Sequence, residues 1–585
     1  MGSFFKIFFA SLLSMIVFAV ATFVFFIVIL ASLKSSDKPN IGANGILLLD
    51  LSQQYKEQDE NDPFNMLTGN TNDNVPGLFH VVRLIKHAKT DSAIKGIYIK
   101  CEDNNNGFAA SEELRNALLD FKQSKKFVIA FGDMITQKAY FIATAADKVY
   151  CNPQGMVDWR GFSTTLMFIK GTLDKLEIQP QIFYAGKFKS ATEPLRATQM
   201  SDANRLQTSI YMNDMYSELL LAASKKTGLD TAMLHILANT GAIQSANQAA
   251  QYKLIDGVKY DDEVKNEMAS LLKVSASKKF NFVPLGKYAK AVESLGSGTD
   301  RIAIIYADGE IMDGKNKRGE TVGSDETRLL IRNARLNDDI KAIVFRVNSP
   351  GGSSLASEEI WREIMLAKAA KPLVVSFGDV AASGGYYISC GADSIFAEPT
   401  TITGSIGVFG IIPNFKQFFN NKMGVTFDGV KTGPYADMPS VNRPLNAAES
   451  LFVQQSIDTI YHVFKSRVSE GRKLSMEVVD SIAQGRVWTG KRALEIGLVD
   501  RLGNMKDAID CAARMAKIKD YRLKEYPENK GFLQSLVNNF SNEIKAKAIS
   551  EEIGVEQYKL LKQIKNVKAM TGVPQTRLPF EIDIR

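Results

Sequence analysis

The chain has 585 residues, of which 45% are hydrophobic and 23% are charged. These proportions are ordinary for globular proteins and exclude a mostly disordered, a collagen-like or a multi-span membrane chain. The net charge of +7 is small for this length, so charge gives no indication of nucleic-acid binding. The four cysteines are too few and too scattered for a disulfide framework or a CxxC zinc site.

The first feature in chain order is an uncharged, apolar stretch of 27 residues, Ile7 to Leu33, between Lys6 and Lys34. A membrane-spanning helix needs about 20 such residues, whereas the apolar region of a cleaved signal peptide has only about 7–15. We therefore predict an uncleaved signal-anchor, with a cleaved signal peptide as the alternative. The short N-terminal side favours a protein body outside the cytoplasm.

The body of the chain repeats itself at an offset of 246 residues. Ile94–Lys100 (IKGIYIK) matches Ile340–Arg346 (IKAIVFR), and the alignment runs without a gap to Gly161 and Gly407. Over these 68 positions 19 residues are identical, which is far more than chance gives. Self-similarity at a fixed offset indicates a duplicated structural unit.

Within each copy, short apolar runs alternate with helical patterns. In the second copy Ala342–Val347 and Leu373–Phe377 have the pattern of strands, and Ser357–Ala370 has that of a helix. This alternation is typical of a mostly parallel sheet with helical crossovers, so we predict an α/β fold. The expected divisions are an anchor at 1–40, copies at 41–280 and 281–520, a linker within about 275–300, and a polar helical tail at 521–585.

The two copies differ most in two loops at strand-to-helix transitions. The second copy has NSPGG at Asn348–Gly352 and AASGGYY at Ala381–Tyr387, and its Ser383 aligns with Gln137 of the first copy. A hydroxyl between small residues at a helix start can meet a substrate, and the free N–H groups there can hold an oxyanion. The alternative is that Ser383 is an N-cap and the glycines are turn residues.

A serine nucleophile needs a base. The four histidines lie outside any motif, and we expect ordinary surface or interior side chains at His80, His87, His235 and His462. A lysine can serve instead once its pKa falls from about 10.4 to about 7–8. Such a lysine must lie in a mostly apolar pocket.

Two lysines of the first copy, Lys187 and Lys189, are candidates for this base. They lie in the segment GKFKSATEPL, whereas the second copy has no lysine between Lys431 and Lys465. The lysine is therefore present only in the copy that lacks the serine, which is the pattern of a composite site shared by two degenerate copies. Taken alone, Lys189 has the alternative interpretation of a surface lysine.

Four motifs together resemble the long, duplicated bacterial type of the signal peptide peptidase A family, also called protease IV. They are VNSPGG (Val347–Gly352), GDVAASGGYYIS (Gly378–Ser389), TGSIGVFG (Thr403–Gly410) and GKFKSATEPL (Gly186–Leu195). The resemblance covers about residues 1–520. It implies two tandem copies of a ClpP/crotonase-like fold behind one transmembrane helix, and serine endopeptidase activity.

The resemblance also implies the role of each site residue. Ser383 would be the nucleophile, and Lys189, which directly precedes Ser-Ala-x-Glu-Pro, would be the general base of a Ser/Lys dyad. The N–H groups of Gly352 and Gly384 would form the oxyanion hole, and Ser405 would orient the lysine or line the pocket. The implied reaction is acyl transfer through an acyl-enzyme, without metal or cofactor.

The partners implied are peptide substrates, in particular signal-peptide remnants, the bacterial inner membrane, and further copies of the chain in a homotetramer. The catalytic body would face the periplasm, and no nucleic acid is expected. Two alternatives stay open. One is a crotonase-like acyl-CoA enzyme using acidic residues such as Glu102 and Asp103, against which the anchor and the Ser/Lys split argue. The other is a non-catalytic membrane scaffold.

Overall fold

The computed structural model describes residues 2–33, 39–59, 75–275, 280–292, 298–316, 321–528 and 574–578. The strands are β1 Gly45–Asp50, β2 Ile94–Lys100, β3 Phe127–Ile135, β4 Lys148–Val157, β5 Gln179–Ala185, β6 Gly257–Val258, β7 Phe282–Pro284, β8 Asp300–Asp308, β9 Glu310–Met312, β10 Thr321–Gly323, β11 Ile340–Ser349, β12 Gly351–Ser353, β13 Leu373–Ala382, β14 Ser394–Ala397, β15 Ile402–Gly404, β16 Val408–Asn414, β17 Val487–Thr489, β18 Arg501–Leu502, β19 Tyr521–Tyr526 and β20 Gln575–Arg577. The α-helices are α1 Gly2–Leu33, α2 Leu78–Thr90, α3 Phe108–Lys122, α4 Gln137–Ala143, α5 Lys170–Lys175, α6 Glu193–Arg196, α7 Asp202–Thr227, α8 Thr231–Asn239, α9 Ala246–Gln251, α10 Asp261–Leu272, α11 Leu285–Ala291, α12 Ser324–Leu336, α13 Ser354–Ala370, α14 Gly384–Tyr387, α15 Ala447–Arg472, α16 Met476–Ile482, α17 Gly490–Glu495 and α18 Met505–Met515.

Each half of the chain is built around a path of six parallel strands. The N-terminal half has the order β7-β1-β2-β3-β4-β6. The C-terminal half has the order β19-β8-β11-β13-β14-β18, with β15 and β17 added beside β13. The two orders match strand for strand, and β2 and β11 begin 246 residues apart. The predicted duplicated α/β fold is confirmed.

The central strands are apolar along most of their length because helices cover both faces of a parallel sheet. In β8, for example, Ile302 to Ala307 are all buried. The largest hydrophobic cluster lies within residues 47–288, and the second lies within residues 303–526, joined by Ala185. Each half thus has its own core, and one residue of the first half belongs to the second core.

Ala185 joins that core because a third sheet connects the halves. Its strand order is β10-β9-β12-β20-β16-β5. Strand β5 leaves the N-terminal half and pairs antiparallel with β16, from Gln179 opposite Asn414 to Ala185 opposite Val408. The segment that follows β5 therefore lies against the C-terminal half.

A buried ion cluster also holds the halves together. Arg346 of β11 is 1% exposed, and its guanidinium donates to Glu57 at 2.7 Å and to Glu113 at 2.7 Å. The same group donates to the Ser376 hydroxyl and to the Phe377 carbonyl oxygen. Both carboxylates come from the first half, so the cluster spans the contact between the two halves.

The first copy extends past the expected boundary at residue 280. Strand β7 pairs with β1, and α11 follows it, so part of the expected linker belongs to the first sheet and its helix. In the same way β19 completes the second sheet beyond residue 520.

The expectation of a helical tail is wrong for two stretches, which form β19 and β20. Apolar and polar side chains alternate over the first four residues of β19 (YRLK), and most of its residues are only partly buried, as in an edge strand. Residues 529–573 and 579–585 of the expected tail lie outside the described residues.

Helix α1 is long and apolar enough to cross a membrane. The qualifying window is Lys6–Phe23, and the rest of the protein buries none of it. No second helix among the described residues passes the same test. The length and apolar character predicted for the N-terminal segment are thus present in the structure.

Candidate active site

Ser383 lies at the turn between β13 and α14. Its φ of 56° and ψ of −113° are a sparsely populated combination for a residue other than glycine. Backbone hydrogen bonds fix this turn, because Ser383 N–H donates to Gly404 O and Tyr387 N–H donates to Ser383 O, both at 2.8 Å. Ser383 occupies the N-cap position of α14, but its hydroxyl makes no capping hydrogen bond. The N-cap interpretation therefore does not explain this side chain.

The Ser383 hydroxyl instead faces a lysine from the other half of the chain. The distance between Lys189 Nζ and Ser383 Oγ is 2.8 Å. Lys189 Nζ also lies 3.1 Å from both Ser405 O and Ser405 Oγ. All three residues are at most 1% exposed, and burial lowers the pKa of Lys189 well below its usual range. The arrangement is that of a hydroxyl beside an amine whose buried surroundings disfavour its charged form.

The other candidates from the sequence are not part of this cluster. Lys187 is exposed, although it lies two residues from Lys189. Glu102 and Asp103, which the acyl-CoA alternative would use, are exposed as well. Within the described ranges no histidine hydrogen-bonds to the Ser383 hydroxyl, and His80 is paired with Asp59 instead.

Two glycine turns place the lysine. A Cβ atom on Gly485 would lie 2.7 Å from both the nitrogen and the Cβ of Lys189, and Gly485 has a φ of +71°. On the other side a Cβ on Gly186 would lie 2.6 Å from the carbonyl carbon of Gln484. Phe188 N–H donates to Gln484 O at 2.7 Å. The backbones of the two halves therefore touch at glycines, beside the lysine.

Gln207 of α7 is a positioning residue that the sequence analysis missed. Its side chain, 1% exposed, donates to Phe188 O at 3.1 Å and to Ser190 Oγ at 3.0 Å. Its Oε1 accepts from Val487 N–H of β17 at 3.2 Å. One amide thus connects the lysine segment to the serine half. Nothing in the sequence around Gln207 distinguishes it from an ordinary glutamine on a polar helix.

Gly485 was missed for a different reason. Gly241, at the matching place in the first half, also has a positive φ, but a Cβ there would meet nothing within 4 Å. The two copies look alike in sequence at this turn, so comparing them reveals no asymmetry.

The two glycine loops predicted for an oxyanion hole adjoin each other. A Cβ atom on Gly351 would lie 2.6 Å from Gly384 N, and one on Gly352 would lie 1.9 Å from Ile311 O. Side chains are excluded at both positions, so the backbone itself lines this part of the site. Because Gly384 directly follows Ser383, the two glycine loops meet next to the serine.

The model of peptidase family S49 matches residues 120–275 and 365–519 of this chain. "Protease 4" of Salmonella typhi is 36% identical over 521 residues, covering 86% of this chain and 84% of that protein. "Protease 4" of Haemophilus influenzae is 32% identical, covering 84% and 83%. "Serine protease SPPA, chloroplastic" of Arabidopsis thaliana is 33% identical, covering 74% and 64%.

Two solved structures are similar over part of the chain. One is a ClpP1 point mutant from Listeria monocytogenes, with a TM-score of 0.24, 15% identity, and coverage of 35% of this chain and 94% of that one. The other is a point mutant of 1510-N, a membrane-bound stomatin-specific protease, with a TM-score of 0.27, 15% identity, and coverage of 40% and 100%. Scores this low add nothing to the similarity in sequence.

Proposed function

The chain belongs to peptidase family S49, and from this premise we propose that it is a serine endopeptidase whose Ser/Lys dyad is shared between its two halves. The observation that carries the proposal is the 2.8 Å contact between Lys189 Nζ and Ser383 Oγ, with both side chains buried. A hydroxyl within hydrogen-bond reach of a neutral amine is the arrangement that nucleophilic catalysis requires.

The surroundings of the amine favour the role of base. A neutral amine has two N–H donors and one lone pair. Ser405 O and Ser405 Oγ can accept both N–H groups, since each lies 3.1 Å from Lys189 Nζ. The lone pair is then directed at the Ser383 hydroxyl. In this account Ser405 is a positioning residue that orients the base.

The reaction proceeds by acyl transfer. Lys189 takes the Ser383 proton while Oγ attacks the carbonyl carbon of the substrate, and the N–H groups of Gly352 and Gly384 stabilise the oxyanion. Protonated Lys189 then donates to the leaving amine, which leaves an ester on Ser383. A water molecule, deprotonated by Lys189, hydrolyses the ester and restores the hydroxyl.

We further propose that α1 anchors the enzyme in the bacterial inner membrane with the peptidase body on the periplasmic side. Signal-peptide remnants are the proposed substrates, since such peptides are apolar and remain in that membrane. The homotetramer stays a prediction. The apolar length of α1 supports the anchor, and family membership supports the choice of peptide substrates.

The test is active-site labelling with a fluorophosphonate probe. We expect the full chain to be labelled at Ser383, and Ser383→Ala to lose both the label and peptide hydrolysis. Ser270→Ala, which removes an exposed hydroxyl of α10 that bonds only to Asn266 O of the same helix, is the control and should keep both. A folded wild-type protein that takes no label would contradict the proposal and favour the non-catalytic scaffold.

A further inference from the structure

The last described segment of the chain, Pro574–Leu578, lies against Gly384, the residue that directly follows Ser383. Its strand β20 pairs antiparallel with β12 on one side and with β16 on the other. Gln575 is 4% exposed, Thr576 0% and Leu578 4%. An extended peptide that inserts between two strand edges is one of the common modes of peptide binding. The space between β12 and β16 is therefore filled by an extended peptide, and this peptide is part of the same chain.

The register of β20 brings Thr576 opposite Gly352. Two backbone hydrogen bonds flank this pair, Ser354 N–H to Pro574 O at 3.3 Å and Leu578 N–H to Pro350 O at 2.8 Å. Hydrogen-bonded pairs recur at every second residue of an antiparallel ladder. The pair between them is thus a hydrogen-bonding pair, in which the Gly352 N–H faces the Thr576 carbonyl oxygen.

The same carbonyl oxygen also lies against the second glycine loop. A Cβ atom on Gly351 would lie 2.0 Å from Thr576 O, and one on Gly384 would lie 3.0 Å from it. The Thr576 oxygen is therefore between the two segments that supply the proposed oxyanion donors. A carbonyl in this position is the one that Ser383 would attack.

Side chains on either side of the Thr576–Arg577 bond hold this register. The Arg577 guanidinium donates to Glu310 Oε1 at 2.7 Å, and Thr576 Oγ1 donates to Gly352 O at 3.1 Å. Leu578 packs into an apolar pocket built by both halves, whose buried members are Phe108, Tyr211, Met215, Ala382, Ile402 and Val487. The strand is thus fixed by backbone, charge and apolar contacts at once.

We propose that the enzyme cleaves its own chain at the Thr576–Arg577 bond, with Pro574–Leu578 as an internal substrate. This inference rests on the proposed function, since it uses the same dyad. Ser383 Oγ bonds to the Thr576 carbonyl carbon, and its proton passes to Lys189 Nζ. The bond to the Arg577 nitrogen breaks as that nitrogen takes the proton. One water then hydrolyses the Thr576 ester, so the products are a chain ending at Thr576 and the peptide 577–585.

The first test is the intact mass of the purified full-length protein. We expect the wild type to lose residues 577–585, and Ser383→Ala, expressed and purified in parallel, to retain them. The released peptide must begin at Arg577. A wild-type protein that is cut elsewhere, or Ser383→Ala that is cut after Thr576, overturns the inference.

The second test reverses the charges that anchor the strand. Arg577→Glu places a carboxylate beside Glu310, so we expect loss of the cleaved form. The double variant Arg577→Glu with Glu310→Arg restores the ion pair in the opposite sense, and cleavage should return. Cleavage of the single variant to the wild-type extent would show that the strand does not act in this register, and would overturn the inference.

Labelling, peptide hydrolysis and intact mass together distinguish an enzyme that does not cleave itself from a protein that is not a peptidase. A wild-type enzyme that takes the fluorophosphonate label and hydrolyses peptides, yet retains residues 577–585, overturns self-cleavage alone, even if deletion of residues 574–585 raises its activity. A protein that takes no label and hydrolyses nothing overturns the proposed function, and self-cleavage with it.

Discussion

Lys189 is a buried lysine, and its burial favours the uncharged form of a side chain that is normally charged. It is 1% exposed, and its amine contacts only hydroxyl and carbonyl oxygens among the hydrogen bonds of the described chain. Replacing it with methionine keeps most of the volume and removes the base. We expect Lys189→Met to lower kcat by about 10²–10⁴-fold, which is the usual contribution of a general base to the rate.

Lys187→Met is the matched control for that substitution. Lys187 lies two residues away and is exposed, so its variant should keep most of the activity in the same peptide-hydrolysis assay. If Lys187→Met is inactive and Lys189→Met is active, the base is assigned to the wrong lysine.

The pH dependence of activity follows from the same burial. The pKa of Lys189 in the folded protein is well below its usual range, whereas in the unfolded chain it is about 10.4. Between the two values the folded state binds fewer protons, so rising pH favours both folding and the neutral base. We expect kcat/KM to rise with pH along an acid limb centred well below 10.4. A rate that rises only near 10.4 would contradict a buried base.

At the scale of elements, the site depends on how closely two turns approach. Gly485 follows α16 and leads into β17, and a Cβ there would lie 2.7 Å from the backbone nitrogen of Lys189. Gly485→Ala must therefore displace the lysine segment. Because a displacement of about 1 Å can cost about 10²-fold in rate, we expect a loss of kcat of that order.

Gly429→Ala is the control for that glycine, since a Cβ on Gly429 would meet nothing within 4 Å. Fluorophosphonate labelling rates of the two variants separate a displaced dyad from a change in substrate binding. Unchanged labelling and kcat in Gly485→Ala would show that this contact does not position the base.

At the scale of the whole molecule, the buried guanidinium of Arg346 pairs with two carboxylates across the contact between the two halves. Its removal would leave Glu57 and Glu113 buried without a cation. Breaking a buried ion pair in this way costs about 3–5 kcal/mol. We expect Arg346→Ala to lower the urea midpoint of unfolding and, because the dyad spans the halves, to lower activity with it.

Arg160→Ala is the comparison for the buried arginine. Arg160 is mostly exposed and pairs with Asp158 at the surface, where an ion pair contributes about 0–1 kcal/mol. Tryptophan fluorescence can follow both halves, since Trp159 lies in the first and Trp361 and Trp488 lie in the second. Equal urea midpoints for the two arginine variants would argue against the cluster as the joint between the halves.

The sequence by itself determined the duplicated α/β fold, the long apolar N-terminal helix and the candidate pair Ser383 and Lys189. These features could be predicted because apolar periodicity is visible within a short stretch of sequence, and because the two copies could be compared position by position. Only the tertiary structure decided which side chains accompany the pair. Gln207, Gly485 and the strand at Gln575–Arg577 reach the site from distant parts of the chain. Such contacts depend on how β5 crosses to β16, and packing between elements leaves no periodic trace in a sequence.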